Sequence, residues 1–145
     1  MTWIDRSRPK GAKVQKSTRS KKVERLDIVF SKFIRRRDCS FTFGRCISCG
    51  KIIKFEDCDC GHYVNRKHMS TRFDEHNCNA QCRSCNRFDE GNIQGYRKGL
   101  IAKYGEKIAE SLEIKKFNTC NLSEVEIDLL FVHYKKKLKE IEQKR

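Results

Sequence analysis

Four of the nine cysteines stand in two matched pairs, and their spacing indicates a metal site. The pairs are Cys46-x-x-Cys49 and Cys82-x-x-Cys85. Two such turns supply four thiolates in tetrahedral geometry, which is the ligand set of a closed structural zinc site. The two pairs are farther apart than the pairs of a compact zinc ribbon, which are separated by about 15 to 20 residues. We therefore expect one structural Zn2+ per chain, closing a loop large enough to carry a second function. Four buried free thiols are the alternative.

Inside that loop lie polar residues suited to phosphodiester hydrolysis. Asp59 and His62 fall on an expected strand, Asn77 precedes the second cysteine pair, and Asn86 directly follows it. Hydrolysis needs a base for water, a cation near the phosphate, and a group that orients the base. We expect His62 to be the base, because imidazole titrates near neutral pH. Asp59 and Asn86 offer the hard oxygen ligands that a catalytic Mg2+ or Mn2+ prefers. Asn77 is expected to brace the hairpin and fix the ring of His62.

The order of these residues is that of the HNH nucleases, with Asn86 in the place of the last His. Over residues 26–139 the sequence resembles the NinG (Rap) recombination nucleases of lambdoid phages. The motifs that carry the resemblance lie at 46–50, 59–63, 66–73, 82–88, 91–92, 96–100 and 103–105. The resemblance implies a structure-selective endonuclease that acts on branched DNA such as Holliday junctions and D-loops. The chain is also similar to phage endonuclease VII, in which Asn likewise follows the last zinc cysteine.

Three positions depart from the family pattern. Family members usually read Asp-Ala-Gly-His at the positions of residues 59–62, so Cys58 and Cys60 are unusual here. Asn79 stands where family members often have a His. Cys58 and Cys60 alternate along a strand and would share one face, with Asp59 on the other. They can be ligands of a second metal or buried small hydrophobic residues, and we favour the second interpretation.

The charge of the chain points to a polyanionic partner. The net charge is +14 in a chain of 145 residues, which favours a nucleic-acid partner over a well-solvated surface without a partner. Residues 1–22 are expected to form a basic arm that is disordered until it meets phosphate. Arg66, Lys67 and Arg72 stand beside the expected catalytic strand, and we expect them to contact DNA phosphates. His68 and His76 either contact phosphate or assist metal binding, or they are simply solvated side chains.

The elements that position these residues are expected to be mostly helical. Apolar periodicity predicts helices over 23–37, from 82 to about 100 and from 106 to about 115. Ser123 and Glu126 form a capping box for a last helix, which we expect to be a packing element or a homodimer contact. The expected fold class is α+β: a zinc-stabilised ββα-metal (HNH, His-Me finger) core with flanking helices. The expected parts are the arm at 1–22, the nuclease core at 23–121 and the amphipathic helix at 122–145.

The remaining composition bears on location and on rival functions. The cysteine count is odd, no apolar run opens the sequence, and no run is long enough for a membrane span. We therefore expect a protein of the host bacterial cytoplasm without membrane contact. The first rival is a non-catalytic zinc DNA-binding protein of phage recombination or regulation, which leaves the HNH order unexplained. The second is a redox or metal-buffering protein, which has no use for a basic arm.

Overall fold

The computed structural model describes residues 15–144, so most of the expected basic arm lies outside the described residues. The helices and strands of the described part are, in chain order, α1 (Thr18–Asp38), β1 (Phe43–Arg45), β2 (Ile52–Lys54), β3 (Cys58–His62), α2 (Met69–Arg72), β4 (Cys78–Cys82), α3 (Ile93–Tyr104), α4 (Glu106–Lys115) and α5 (Glu124–Gln143). The architecture is a mixture of helices and small antiparallel sheets, with helix predominating as expected.

The first and last long helices pack on each other. α1 begins at Thr18, five residues before the expected start, because the Ser17 side chain accepts a hydrogen bond from the Ser20 N–H and caps the helix. Residues 18–22 therefore belong to α1 and not to an arm. The expected capping box of Ser123 and Glu126 is present at the start of α5. The two helices share one buried apolar cluster, so α5 is a packing element; the buried helical residues are Val23, Leu26, Phe30, Phe33, Ile34, Ile127, Tyr134 and Leu138.

The strands form two separate antiparallel hairpins. β1 pairs with β2, with Phe43 opposite Lys54 and Arg45 opposite Ile52. β3 pairs with β4 in a register that sets Asp59 opposite Gln81 and His62 opposite Cys78. β3 carries both Asp59 and His62, as the sequence predicts. The connection between β3 and β4 contains the short helix α2.

The helix expected from Cys82 to about Leu100 is wrong. Cys82 ends β4, and Asn86 lies on a separate wide helical turn, Ser84–Phe88. The backbone then takes positive φ angles at Glu90 (47°), Gly91 (82°) and Asn92 (41°). A right-handed helix cannot pass through this left-handed segment. A new helix, α3, starts after Asn92, whose side chain accepts from the N–H of Gly95 at 3.2 Å.

The hairpin β3–β4 lies among three buried clusters. The α1–α5 cluster includes Cys78 of β4. A second cluster surrounds the paired cysteines and includes Ile53 and Ala80. A third joins Tyr63 and Val64, just after β3, to α3 and α4. Within residues 15–144, none of the helices is long and apolar enough to cross a membrane.

Candidate metal centre and active site

The four paired cysteines meet at one point. Cys46 and Cys49 lie in the turn between β1 and β2, Cys82 is the last residue of β4, and Cys85 is on the turn that follows. Their ligand atoms all lie within 4.8 Å of one another, and the Sγ atoms of Cys49 and Cys82 are 3.9 Å apart. Tetrahedral zinc with bonds of about 2.3 Å places its sulfurs about 3.8 Å apart. The cysteine cluster therefore has the composition and spacing to hold zinc.

The surroundings of Cys85 support this assignment. Asn92 caps α3 and also directs its side-chain amide N–H groups toward the Cys85 sulfur, 3.4 Å away. Such hydrogen bonds to a ligand sulfur orient it for the metal. Asn92 thus caps α3 and also contacts a cysteine of the metal cluster.

Two glycines of α3 let the first cysteine turn approach the helix closely. A Cβ atom added at Gly99 would lie 1.9 Å from the carbonyl oxygen of Ile47, and one at Gly95 would lie 2.3 Å from that of Ser48. Real side chains do not approach backbone atoms this closely, and a backbone carbonyl has little freedom to give way. Gly95 and Gly99 are one helical turn apart, so this face of α3 positions the cysteine turn.

We expect Gly99→Ala to destabilise the fold by about 1–3 kcal/mol, because the added methyl group forces α3 away from Ile47. Urea unfolding monitored by circular dichroism measures this change. Lys98→Ala, at an exposed position of the same helix, is the matched control and is expected to unfold at the wild-type midpoint. Equal midpoints for Gly99→Ala and the wild type would contradict the close contact.

His62 occupies the end of β3 with one ring nitrogen engaged. Its Nε2 lies 3.0 Å from the carbonyl oxygen of Arg72. A carbonyl only accepts hydrogen bonds, so Nε2 carries the proton and Nδ1 keeps the lone pair that can accept another. Burial is the main cause that lowers the pKa of His62 below its ordinary value of 6.5. The ring is therefore neutral at pH 7 and competent as a base.

His62 lines a cleft of about 440 Å³. Asn86 lines the same cleft, so the structure brings together two of the sequence-predicted residues that are 24 positions apart. Asp27, Arg66 and Glu90 line it as well. Asp27 and Glu90 were not predicted from the sequence. Asp27 reaches the cleft from α1, and Glu90 reaches it through the left-handed segment at residues 90–92, which the periodicity predicts to be helical.

Asp59 lies beside Asn86. The side-chain amide of Asn86 donates to Asp59 Oδ2 at 2.9 Å, and the guanidinium of Arg87 donates to both carboxylate oxygens at 2.8 Å. Burial alone would raise the pKa of Asp59, but Arg87 and Asn86 outweigh it and hold the pKa below its ordinary value. Asp59 is thus ionised and already attracts positive charge. Arg87 is a site residue that sequence reasoning missed, although it directly follows Asn86.

Asn77 braces the loop after β3, as expected, but it does not hold the His62 ring. Its side chain is fully buried and pairs with the N–H and the carbonyl of Val64 at 2.7 and 3.0 Å, and its amide donates to the carbonyl of Thr71 at 3.1 Å. The ring of His62 is instead oriented by the carbonyl of Arg72, the residue after Thr71. The expectation that Asn77 fixes the His62 ring is therefore corrected: Asn77 fixes the backbone at Val64 and Thr71, and the carbonyl of Arg72 orients the ring.

Asn79, where the family often has His, is a buried structural residue. Its carbonyl oxygen accepts from Lys103 at 2.8 Å and from Arg37 at 3.2 Å. Its amide donates to the carbonyl of His76 and to the hydroxyl of Tyr96. Tyr96 in turn donates toward the carbonyl of Gly61 at 2.7 Å. This network ties β4 and α3 together, which accounts for a polar residue at position 79.

The three basic residues beside the hairpin have different environments. Lys67 is exposed, and the side chain of Arg66 is 63% exposed at the rim of the cleft. Arg72 is 15% exposed, and its guanidinium pairs with Asp27 and donates to the carbonyl of Arg66. We therefore assign Arg72 to the support of the His62 loop and keep Arg66 and Lys67 as candidates for phosphate contact.

The other cysteines divide into buried and half-buried thiols. Cys58 is buried beside Cys39 in the cluster around the paired cysteines, as the small-hydrophobe interpretation predicts. Cys120 is half-buried. Cys60 packs against the α1–α5 cluster but is only partly buried, and it lines the cleft together with His62. His76 is exposed, next to Asp74 and to the ring of Tyr104.

Comparisons with known proteins agree with one another. The sequence profile of the family described as "Bacteriophage Lambda NinG protein" matches residues 2–144. The chain is 31% identical over 128 residues to Protein ninG of Escherichia phage 933W, and 30% identical over the same length to Protein ninG of Escherichia phage lambda. It is also 30% identical to Protein ninG of Salmonella phage P22.

These matches cover 88% of this chain and 61%, 60% and 61% of the three relatives. The chain thus spans about three fifths of the length of the relatives that it matches. No solved structure matches it significantly.

Proposed function

Since this chain belongs to the NinG family of bacteriophage proteins, we propose that it is a metal-dependent endonuclease that hydrolyses phosphodiester bonds of branched DNA. The observation that carries the proposal is the joint position of His62 and Asn86 on one cleft, with the ionised Asp59 touching Asn86. A neutral imidazole, a carboxylate and a carboxamide are the groups that such hydrolysis needs.

In this proposal the hairpin β3–β4 and the turn 84–88 form a ββα-metal unit of the HNH type. The unit carries Asp59 and His62 on β3 and Asn86 on the turn. The cysteine cluster fixes the turn to the end of β4 through Cys82 and Cys85. A site held this way is preorganised, because each catalytic side chain stands on an element anchored by the metal.

His62 acts as the general base. Nδ1 takes a proton from water, the water oxygen attacks phosphorus, and the bond from phosphorus to the leaving sugar oxygen breaks. The leaving oxygen takes a proton from the solvent and becomes a hydroxyl group. The carbonyl of Arg72 keeps the ring in the tautomer that leaves Nδ1 free. The same carbonyl stabilises the imidazolium that forms, because it continues to accept the Nε2 proton.

Asp59 and Asn86 are the proposed ligands of a catalytic Mg2+ or Mn2+. The carboxylate of Asp59 is half-buried and already balanced by a cationic group, Arg87. For both ligands to use oxygen, the amide of Asn86 turns so that Oδ1 replaces Nδ2 beside Asp59. A divalent cation held there would neutralise charge on the phosphate.

We expect Asp59→Ala and Asn86→Ala to lose Mg2+-dependent cleavage by about 10²-fold or more, because the cation is no longer held. Raised Mn2+ is expected to restore part of the activity. Cleavage of a labelled four-way DNA junction, measured over a range of metal concentrations, tests this. Asp57→Ala removes an exposed carboxylate two residues away and is expected to cut at the wild-type rate. Full activity of both site variants would contradict the ligand assignment.

We propose that DNA affinity comes from the exposed basic residues Arg66 and Lys67 and from the N-terminal segment. Residues 1–14 contain Arg6, Arg8, Lys10 and Lys13. Each phosphate neutralised contributes about 0.9 to the slope of log K against log salt. Deleting residues 1–14 is expected to flatten this slope by roughly 2 to 4 and to weaken binding to linear and branched DNA alike. Fluorescence anisotropy at several salt concentrations measures it, and an unchanged slope would remove the segment from the phosphate contacts.

The rival function is a zinc DNA-binding module without catalysis. The net charge and the cysteine cluster suit it equally well. The depressed pKa of His62 and its placement on a cleft with Asn86 favour the nuclease, because a binding module needs neither.

A further inference from the structure

Three side chains on the hairpin form a second cluster of metal-binding type. Cys60 and His62 lie two residues apart on β3 and thus on the same face, and Cys78 of β4 stands opposite His62. Their ligand atoms all lie within 4.8 Å of one another. The Cys78 thiol is 3.5 Å from the carbonyl oxygen of Arg72, which also contacts His62 Nε2. Strand pairing alone therefore assembles two thiols and an imidazole.

Core packing accounts for Cys78, whereas Cys60 packs against the same α1–α5 cluster and is also open to the cleft. Cys78 is fully buried in the α1–α5 cluster, as a small apolar residue would be. Cys60 is partly exposed and lines the cleft with His62, so a dissolved ion can reach it. A half-buried cysteine beside a histidine on an open cleft is placed for ligation.

The ligand set selects a particular class of cation. Two thiolates and an imidazole suit soft or borderline ions such as Zn2+, whereas Mg2+ and Mn2+ prefer the oxygen ligands of Asp59 and Asn86. Two thiolates also balance a divalent charge, which a partly buried site requires. Three protein ligands leave a fourth position for water or an anion.

We propose that Cys60, His62 and Cys78 form a second binding site for Zn2+ or a similar thiophilic divalent cation, and that its occupancy blocks His62. Binding forms two metal–sulfur bonds and one metal–nitrogen bond, and the two thiol protons pass to the solvent. A neutral imidazole has one lone pair, so a His62 that ligates a cation has none left to accept a proton from water. The binding half of this inference stands independently, and the inhibitory half rests on the proposed nuclease function.

Metal stoichiometry of the full chain under reducing conditions tests the site. The protein is equilibrated with buffered Zn2+, and bound zinc is measured by elemental analysis. We expect two Zn2+ per wild-type chain and one per chain of Cys60→Ala, which leaves the four paired cysteines intact. Cys120→Ala, which removes a half-buried thiol from neither cluster, is the matched control and is expected to bind two.

Cobalt substitution reports the ligands directly. In the wild type and in Cys120→Ala, the second equivalent of Co2+ is expected to add sulfur-to-cobalt charge-transfer absorption. In Cys60→Ala it is expected to add none. The first equivalent, present in all three proteins, shows that Cys60→Ala is folded. One ion per chain in every protein, or two ions in Cys60→Ala, would overturn the site whether or not the chain cuts DNA.

The proposed inhibition of cleavage by zinc is tested separately. With Mg2+ fixed, added Zn2+ is expected to reduce cleavage of a four-way junction by the wild type and to leave Cys60→Ala active. Equal inhibition of both proteins would overturn this half while leaving the stoichiometric result in place.

Discussion

A His62→Ala variant is expected to lose Mg2+- or Mn2+-dependent cleavage of branched DNA by about 10²- to 10⁴-fold, the range that general base catalysis contributes. The variant lacks the imidazole Nδ1 that receives the proton of the attacking water. Raised Mn2+ is not expected to restore activity, in contrast to Asp59→Ala and Asn86→Ala, because a cation cannot replace the missing base. Single-turnover rates on a labelled four-way junction measure the loss.

The fold is expected to survive this change. His62 lies outside the cluster of four paired cysteines, and within residues 15–144 its ring makes one hydrogen bond, to the carbonyl of Arg72. Zinc bound at the cysteine cluster, the thermal midpoint and DNA affinity are therefore expected to stay close to wild type. His133→Ala, at an exposed position on α5, is the control and is expected to cut normally. A His62 variant that cuts at the wild-type rate would remove His62 from the mechanism.

The pH dependence of the wild type follows from the same residue. Burial holds the pKa of His62 below 6.5, so the ring is neutral at pH 7 and becomes protonated as the pH falls through its lowered pKa. An imidazolium cannot accept a proton. The cleavage rate is therefore expected to be level near pH 7 and to fall below an apparent pKa lower than 6.5. A rate that already falls between pH 8 and 7 would contradict the lowered pKa.

We expect the cysteine cluster to hold a structural zinc, and removal of this ion to unfold the middle of the chain. Structural zinc binds small domains with an apparent free energy of about 10–16 kcal/mol at pH 7, comparable to the whole stability of a domain. The cluster joins the β1–β2 turn to the end of β4 and the turn 84–88, so its loss frees both hairpins. Hydrogen exchange after chelation under reducing conditions is expected to show loss of protection in β1 to β4.

A cysteine variant separates zinc loss from general damage. Cys82→Ser removes one ligand and is expected to reproduce the effect of chelation. Cys120→Ser, outside the cluster, is expected to retain zinc and full protection. Protection of the hairpins in a zinc-free and otherwise well-folded protein would contradict the structural role of the cluster.

Local patterns predicted much of the fold. The capping box at Ser123 and Glu126 predicted the start of α5, and apolar periodicity predicted α4, because these signals act within a few residues. The two Cys-x-x-Cys turns predicted the cysteine cluster because four thiolates at that spacing have few other uses. The periodicity wrongly predicts helix over residues 89–92, although the Gly91-Asn92 pair there is a turn signal.

Contacts between distant parts of the chain were not predictable. Arg72 pairs with Asp27, 45 residues away, and no local pattern reveals such a partner. Cys78 stands beside His62 because of the β3–β4 register, which the strand sequences alone do not specify. The position of Asn79 in a buried hydrogen-bond network likewise depends on α1 and α3 packing on β4.

The most direct test of the nuclease proposal is a comparison of linear duplex and four-way junction DNA incubated with the wild-type chain, with and without Mg2+. The proposal predicts cation-dependent cleavage of the junction, with the linear duplex cut more slowly. Binding of the junction without cleavage in Mg2+ or Mn2+ would contradict it and would leave the zinc DNA-binding module as the function.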